Sequence, residues 1–144
     1  MALKWRRLAA RGAKVAVAAR RKEKLAEVVV GIEAVGGVAR AYALDVTDKK
    51  QMESVVAAVV ADFGRLDVLI NNAGLMPIRP MAEVNTDEWD AMIDVNLKGT
   101  LYGIAAALPR FIAVDQHNLV DTTRINLSTR VFELIRRFAH RVSP

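Results

Sequence analysis

The sequence predicts an α/β fold built on a doubly wound parallel sheet, and two patterns carry that expectation. Compact apolar runs at Lys14–Ala19 (KVAVAA), Val38–Leu44 (VARAYAL) and Leu66–Ile70 (LDVLI) alternate with segments whose apolar residues recur at helical spacing. The runs lack the strict in–out alternation of a half-solvated sheet, which fits strands covered on both faces. A strand–helix order repeated three times then gives about three parallel strands with helices on both faces.

Ala2–Ala10 suits a short helix with Trp5, Leu8 and Ala9 on one side, stopped by Gly12. After the first strand the period changes. Leu25, Val28, Val29, Ile32 and Val35 fall on one helical stripe, closed by Gly36-Gly37. Gly31 inside that stripe costs roughly 1 kcal/mol of helix propensity. Thr47 can cap the next helix, whose stripe is Met52, Val55, Val56, Val59, Val60 and Phe63, ended by Gly64. A loop with Pro77 and Pro80 follows the third strand. Thr86, with Asp87 and Glu88 in the first turn, opens a long helix to about Ile112. The organisation is therefore a sheet domain over 1–113. Residues 114–144 form a polar connector and a C-terminal amphipathic helix marked by Val131, Leu134, Ile135, Phe138 and Val142.

Bulk properties narrow the function classes. The 144 residues suffice for one domain, and 53% hydrophobic with 26% charged residues is a globular composition. With no cysteine, neither disulfides nor thiolate metal sites can form, and two histidines, His117 and His140, make no ordinary zinc site. That composition fits a reducing cytoplasm, the expected location. No apolar run reaches the roughly 18–20 residues of a membrane span. The net charge of +5 is uneven, since residues 1–24 hold nine Lys/Arg against Glu23 alone. By itself this basic start reads as a transit peptide or a nucleic-acid arm.

Ligands of open parallel sheets bind at the carboxyl ends of the strands. Those ends carry Arg20-Arg21, Asp45-Val46 and Asn71-Asn72-Ala73-Gly74. Gly74 permits a positive φ or close approach of a flat ligand, although NNAG taken alone is a turn. Asn96 lies on the apolar stripe of the long helix with Trp89, Met92, Ile93 and Leu97. There it is either a satisfied core amide or a functional one.

In combination, LDVLINNAG at 66–74, DVNLKGT at 94–100 and LDVTD at 44–48 resemble the short-chain dehydrogenase/reductase family. KWRRLAARGAKVAVAARR is similar to the first helix and second strand of its Rossmann-like fold, and LYGIAAALPRFIA to the end of its central helix. The resemblance implies hydride transfer between a nicotinamide dinucleotide and a small alcohol or carbonyl substrate. It implies that Asp45 bonds the adenine amino group, that Val46 packs beside the ring, and that Asn72, Ala73 and Gly74 line a ribose. Asn96 would be the catalytic-relay asparagine that holds a water. Arg20 and Arg21 stand where NAD enzymes carry an acid, and arginines suit the 2′-phosphate of NADP. That assignment accounts for much of the basic start without nucleic acid or membrane.

The family's remaining parts are not in these residues. No glycine-rich phosphate loop occurs, and neither tyrosine heads a Tyr-x-x-x-Lys: Tyr42 is followed four on by Val46, and Tyr102 by Ala106. Ser54 lies in a helix, and Ser128 and Ser143 lie beyond the resemblance. The expectation is a truncated, partial Rossmann-like member with weak NADP binding, NAD being second choice, and little or no turnover. In the order 3-2-1-4-5-6 the first strand separates Lys14–Ala19 from Leu66–Ile70, so those two either pair directly or keep open edges. The alternative is a non-catalytic interaction module. Gly99 and Gly103 on the long helix would let a second helix approach, and helix 87–112 would join homo-oligomer subunits.

Overall fold

The computed structural model describes residues 2–114 except 79 and 81. The connector and C-terminal helix expected beyond Val114 lie outside the described residues. Helix α1 (Ala2–Ala9) leads to strand β1 (Lys14–Ala19), helix α2 (Lys22–Glu33), strand β2 (Val38–Ala43) and helix α3 (Lys49–Phe63). A continuous helical run follows as α4 (Thr86–Met92), a π-helical stretch (Ile93–Lys98) and α5 (Gly99–Val114).

β1 and β2 pair in parallel, from Lys14 opposite Val38 to Ala19 opposite Ala43. Alternation along β1 turns Val15 and Val17 to one face, where they are buried with Ala39 of β2, Ala9 of α1, and Leu25 and Ile32 of α2. Trp5, Val28 and Val29 pack against this cluster. Burying an aliphatic side chain such as fully covered Ile32 contributes about 1.5–3 kcal/mol. On the opposite face, Arg40 and Tyr42 of β2 meet α3: the Tyr42 hydroxyl donates to Asp62 Oδ2 at 2.6 Å, and Arg40 Nη1 lies 2.6 Å from Asp62 Oδ1. The expected α/β layering with helices on both faces of a parallel sheet is therefore present.

The structure corrects four sequence expectations. Leu66–Ile70 makes no ladder, and the sheet of the described residues has two strands. A parallel strand is held by neighbours, and no described strand lies between this segment and β1, so its backbone has nothing to pair with. The alternative of direct pairing with β1 is also excluded. One helix cap shifts by one residue: Asp48, not Thr47, has the extended backbone of an N-cap and accepts from Lys50 N and Gln51 N. The later helix opens at Thr86 as expected, with Asn85 before it accepting from Glu88 N.

The long helix also differs in phase. Trp89, Ile93 and Leu97 point outward at 44%, 47% and 37% exposure, while Asn96, Thr100, Gly103 and Ala107 line the inner side. The run also contains the π stretch, where Gly99 N donates to Asp94 O, five residues back. Each such wide turn absorbs one extra residue and rotates the stripe relative to the α-helical count. Finally, Val35 falls past the end of α2 and is half exposed.

Candidate functional site

Parallel pairing puts the carboxyl ends of β1 and β2 side by side, with Leu44 N donating to Ala19 O at 3.0 Å. Arg20 and Arg21, both exposed, therefore emerge next to Asp45. Asp45 Oδ1 accepts from Thr47 N at 3.0 Å and Thr47 Oγ1 at 2.8 Å, an Asx turn that fixes the carboxylate. Those bonds, the backbone one foremost, hold its pKa below the usual carboxylate value, and the nearby Arg20 charge acts in the same direction. At neutral pH Asp45 is an ionised acceptor. Gln51 Oε1 takes the Asp45 N–H at 3.0 Å, which ties this turn to the first turn of α3.

The second half of the site is the loop 71–75, held by the inner side of the π stretch and α5. Asn96 Oδ1 accepts from Leu75 N at 2.8 Å, and Asn96 Nδ2 donates to Leu75 O at 2.8 Å. Two glycines then permit close approach. A Cβ on Gly99 would stand 2.9 Å from Val46 Cγ2, and one on Gly103 would stand 2.5 Å from Asn71 Oδ1. Both glycines are buried against this chain's own residues, so they do not present a surface to a second helix, contrary to the interaction-module expectation. Four residues of α-helix rise roughly 6 Å. One turn of α5 thus joins the end of β2 at Val46 to the NNAG loop.

The expected site residues fall into two sets that this helix connects. Arg20, Arg21 and Asp45 sit at the joined strand ends, and Asn72, Ala73 and Gly74 are exposed on the loop. Val46 is half-buried and turned toward Gly99. Gly74 has no positive φ, and a Cβ there would meet Asn96 Oδ1 only at 3.6 Å, an ordinary contact. The left-handed backbone, one of the two uses expected of it, is not found. Sequence reasoning missed Asn71, whose buried Nδ2 has no hydrogen-bond partner. It also missed Leu75, the backbone that Asn96 grips. A repeated amide, Asn71-Asn72, was the visible signal, but which of the two turns inward depends on the loop's path. Among the described residues there is no cluster that could hold a metal ion and no helix long and apolar enough to cross a membrane.

Comparisons with known proteins place the chain in a family. A family model described as short chain dehydrogenase matches residues 5–128. The chain belongs to the short-chain dehydrogenase/reductase family. An uncharacterized oxidoreductase of Listeria innocua is 42% identical over 118 residues, covering 82% of this chain and 48% of the relative. Among solved structures, a metagenomic short-chain oxidoreductase in complex with NADP is 39% identical with a TM-score of 0.72, over 78% of this chain and 51% of that one. A short chain dehydrogenase from Mycobacterium smegmatis is 33% identical with a TM-score of 0.72, over 77% of this chain and 46% of that one. The chain thus spans about half the length of these family relatives.

Proposed function

We propose that this chain carries the adenosine side of a short-chain dehydrogenase/reductase site that prefers NADP, and that these 144 residues alone turn over little or no substrate. The observation that carries the reading is the placement of Arg20 and Arg21 next to the ionised Asp45 at the joined ends of β1 and β2. An acceptor carboxylate suits the adenine amino group. Exposed guanidiniums suit a ribose 2′-phosphate, which they grip through charged, forked hydrogen bonds. Asn72, Ala73 and Gly74 would line the ribose from the loop that Asn96 holds, and Val46 would pack beside the adenine ring. The metagenomic relative solved with NADP supports the same cofactor class.

When bound, the nicotinamide would supply hydride to a small carbonyl compound or take it from an alcohol. The residues present do not supply the proton that must accompany it. Tyr42 is turned into Asp62 and its pKa is raised to about 12, chiefly by burial, so it holds its proton at neutral pH. Asn96, expected as the relay residue, has both side-chain polar atoms engaged by Leu75. We read it here as a positioning residue for the loop. General acid–base help is worth roughly 10²–10⁴ in rate, and losing cofactor orientation compounds that loss.

The outward apolar stripe Trp89, Ile93, Leu97, Leu101, Leu108 and Ile112 favours homo-oligomer contacts through helix 87–112. A cytoplasmic location is part of the same reading. Calorimetric titration with NADP and NAD tests it. NADP should bind more tightly, no better than about millimolar, or roughly −4 kcal/mol, because no glycine-rich loop cradles the pyrophosphate. Equal affinities would remove the arginine argument, and micromolar NADP binding would show that the phosphates are held by other means.

A further inference from the structure

We propose that Gln51 is a positioning residue that aims one open oxygen of Asp45 at a purine amino group, so that the site reads a 6-amino purine against a 6-oxo one. The inference rests on the adenosine-side reading and adds to it a residue that touches no nucleotide. Pairing of β1 with β2 is followed by Leu44 N donating to Ala19 O, so the Asp45 N–H lies beyond the ladder. A backbone donor there needs a side chain or water. It finds Gln51 Oε1 at 3.0 Å.

Gln51 is exposed, at the third position of α3 behind the Asp48 cap. A glutamine in that place ordinarily reaches back to the N–H of the cap residue itself. Here the Asp48 N–H goes to Asp45 O at 3.0 Å, and the Gln51 oxygen reaches three residues further, to Asp45. The other end of the amide is also engaged: Nε2 donates to Asp48 Oδ2 at 2.9 Å. Asp48 Oδ1 meanwhile accepts from Lys50 N and Gln51 N. The orientation of the amide is forced, because a backbone N–H only donates and a carboxylate only accepts. Met52, the next residue, is buried and seats this turn of α3 in the fold. One side chain therefore fastens the end of β2 to a packed helix.

What it holds is the direction of the Asp45 carboxylate. Oδ1 is occupied by Thr47 N and Thr47 Oγ1. Among the described residues Oδ2 accepts no hydrogen bond, which leaves a single directed acceptor at the strand ends. Adenine presents an amino donor at carbon 6, where a 6-oxo purine presents an oxygen that a carboxylate repels. A site built to bond one group rejects the analogue lacking it only while the acceptor keeps its angle. Gln51 is the side chain that fixes the Asp45 backbone, and hence that angle.

The test titrates adenosine 5′-monophosphate and inosine 5′-monophosphate into the isotope-labelled full chain, followed by amide chemical shifts. The parent should favour the adenine nucleotide about tenfold, the worth of one charge-assisted hydrogen bond in a partly solvated site. Gln51→Met keeps the length without polar atoms, and Gln51→Glu keeps an acceptor that cannot donate to Asp48. Each should cut the ratio to about twofold or less and speed amide exchange at Asp45, with protection across α3 unchanged. The preference for adenosine 2′,5′-bisphosphate over the monophosphate, which the arginines set, should survive in both. An adenine preference that persists in the variants overturns the proposal. An equal loss of affinity for both monophosphates, the mark of a turn that has merely loosened, overturns it as well. A parent that binds both nucleotides alike sinks the adenosine-side reading and the proposal together, whereas discrimination retained by the variants sinks the proposal alone.

Discussion

The Asn96 side chain forms a two-bond ring with the backbone of Leu75, its oxygen accepting from the N–H and its nitrogen donating to the C=O, each at 2.8 Å. A side-chain amide, with a donor and an acceptor on one planar group, can serve both partners of one residue in this way, whereas an ionised carboxylate can only accept. Asn96→Ala removes both bonds, and because the ring is only half-buried, water can replace part of them. The expected cost is about 1–2 kcal/mol in urea unfolding, with Asn96→Asp also destabilised because a carboxylate cannot donate to the Leu75 carbonyl. NADPH oxidation with a panel of aldehydes and ketones should be at background before and after the change. Robust turnover abolished by Asn96→Ala would contradict the positioning role.

Glycines at equal helix positions should respond oppositely to alanine. At Gly103 a Cβ would fall 2.5 Å from Asn71 Oδ1, a short side chain packed on the helix, so Gly103→Ala should destabilise by about 1–3 kcal/mol through overpacking. At Gly31 the obstacle is the tip of Arg6, with Nη2 at 2.5 Å, which can swing away. Gly31→Ala should therefore be neutral or gain up to about 1 kcal/mol of helix propensity. Thermal melts of the two variants against the parent check this. A stabilised Gly103→Ala would mean that α5 does not rest on the NNAG loop.

Alkaline stability should depend on Tyr42. In the folded chain its proton is held up to about pH 12, mainly by burial and then by the bond to Asp62, against an ordinary value of 10.0. Between those values the folded state binds more protons than the unfolded chain, so stability falls as pH rises through that window and is fully present below pH 10. Tyr42→Phe should flatten the fall between pH 10 and 12 and cost about 1 kcal/mol at neutral pH from the lost hydrogen bond. A slope unchanged in the variant would assign the alkaline loss to other groups.

What the sequence disclosed and what it hid follow from the range of each interaction. Helical spacing of Leu25, Val28, Val29 and Ile32, and the compact run KVAVAA, are local signals, and α2 and β1 formed where they indicated. Leu66–Ile70 has an equally strong local pattern, yet a strand exists only through its neighbours, and that dependence is not written in five residues. The inward side of the long helix was misassigned for a related reason. The π stretch at Ile93–Lys98 carries the fit of Asn96 to Leu75 and leads into that of Gly99 to Val46, contacts distant in sequence. Of the site, the residue types at the strand ends were legible. The grip on Leu75 and the unpartnered Asn71 amide depend on loop path.

The most direct test of the adenosine-side reading leaves out the pyrophosphate and nicotinamide altogether. Adenosine 2′,5′-bisphosphate and adenosine 5′-monophosphate are titrated separately into isotope-labelled chain, and amide chemical shifts at Arg20, Arg21, Asp45 and Asn72–Gly74 are followed. The account predicts shifts confined to those residues and tighter binding of the bisphosphate. In Arg20→Ala and Arg21→Ala that preference should shrink, since each charge-assisted bond lost costs about 1.5–3 kcal/mol before solvent screening. Equal affinity for the two nucleotides, or a preference that survives both substitutions, would contradict it.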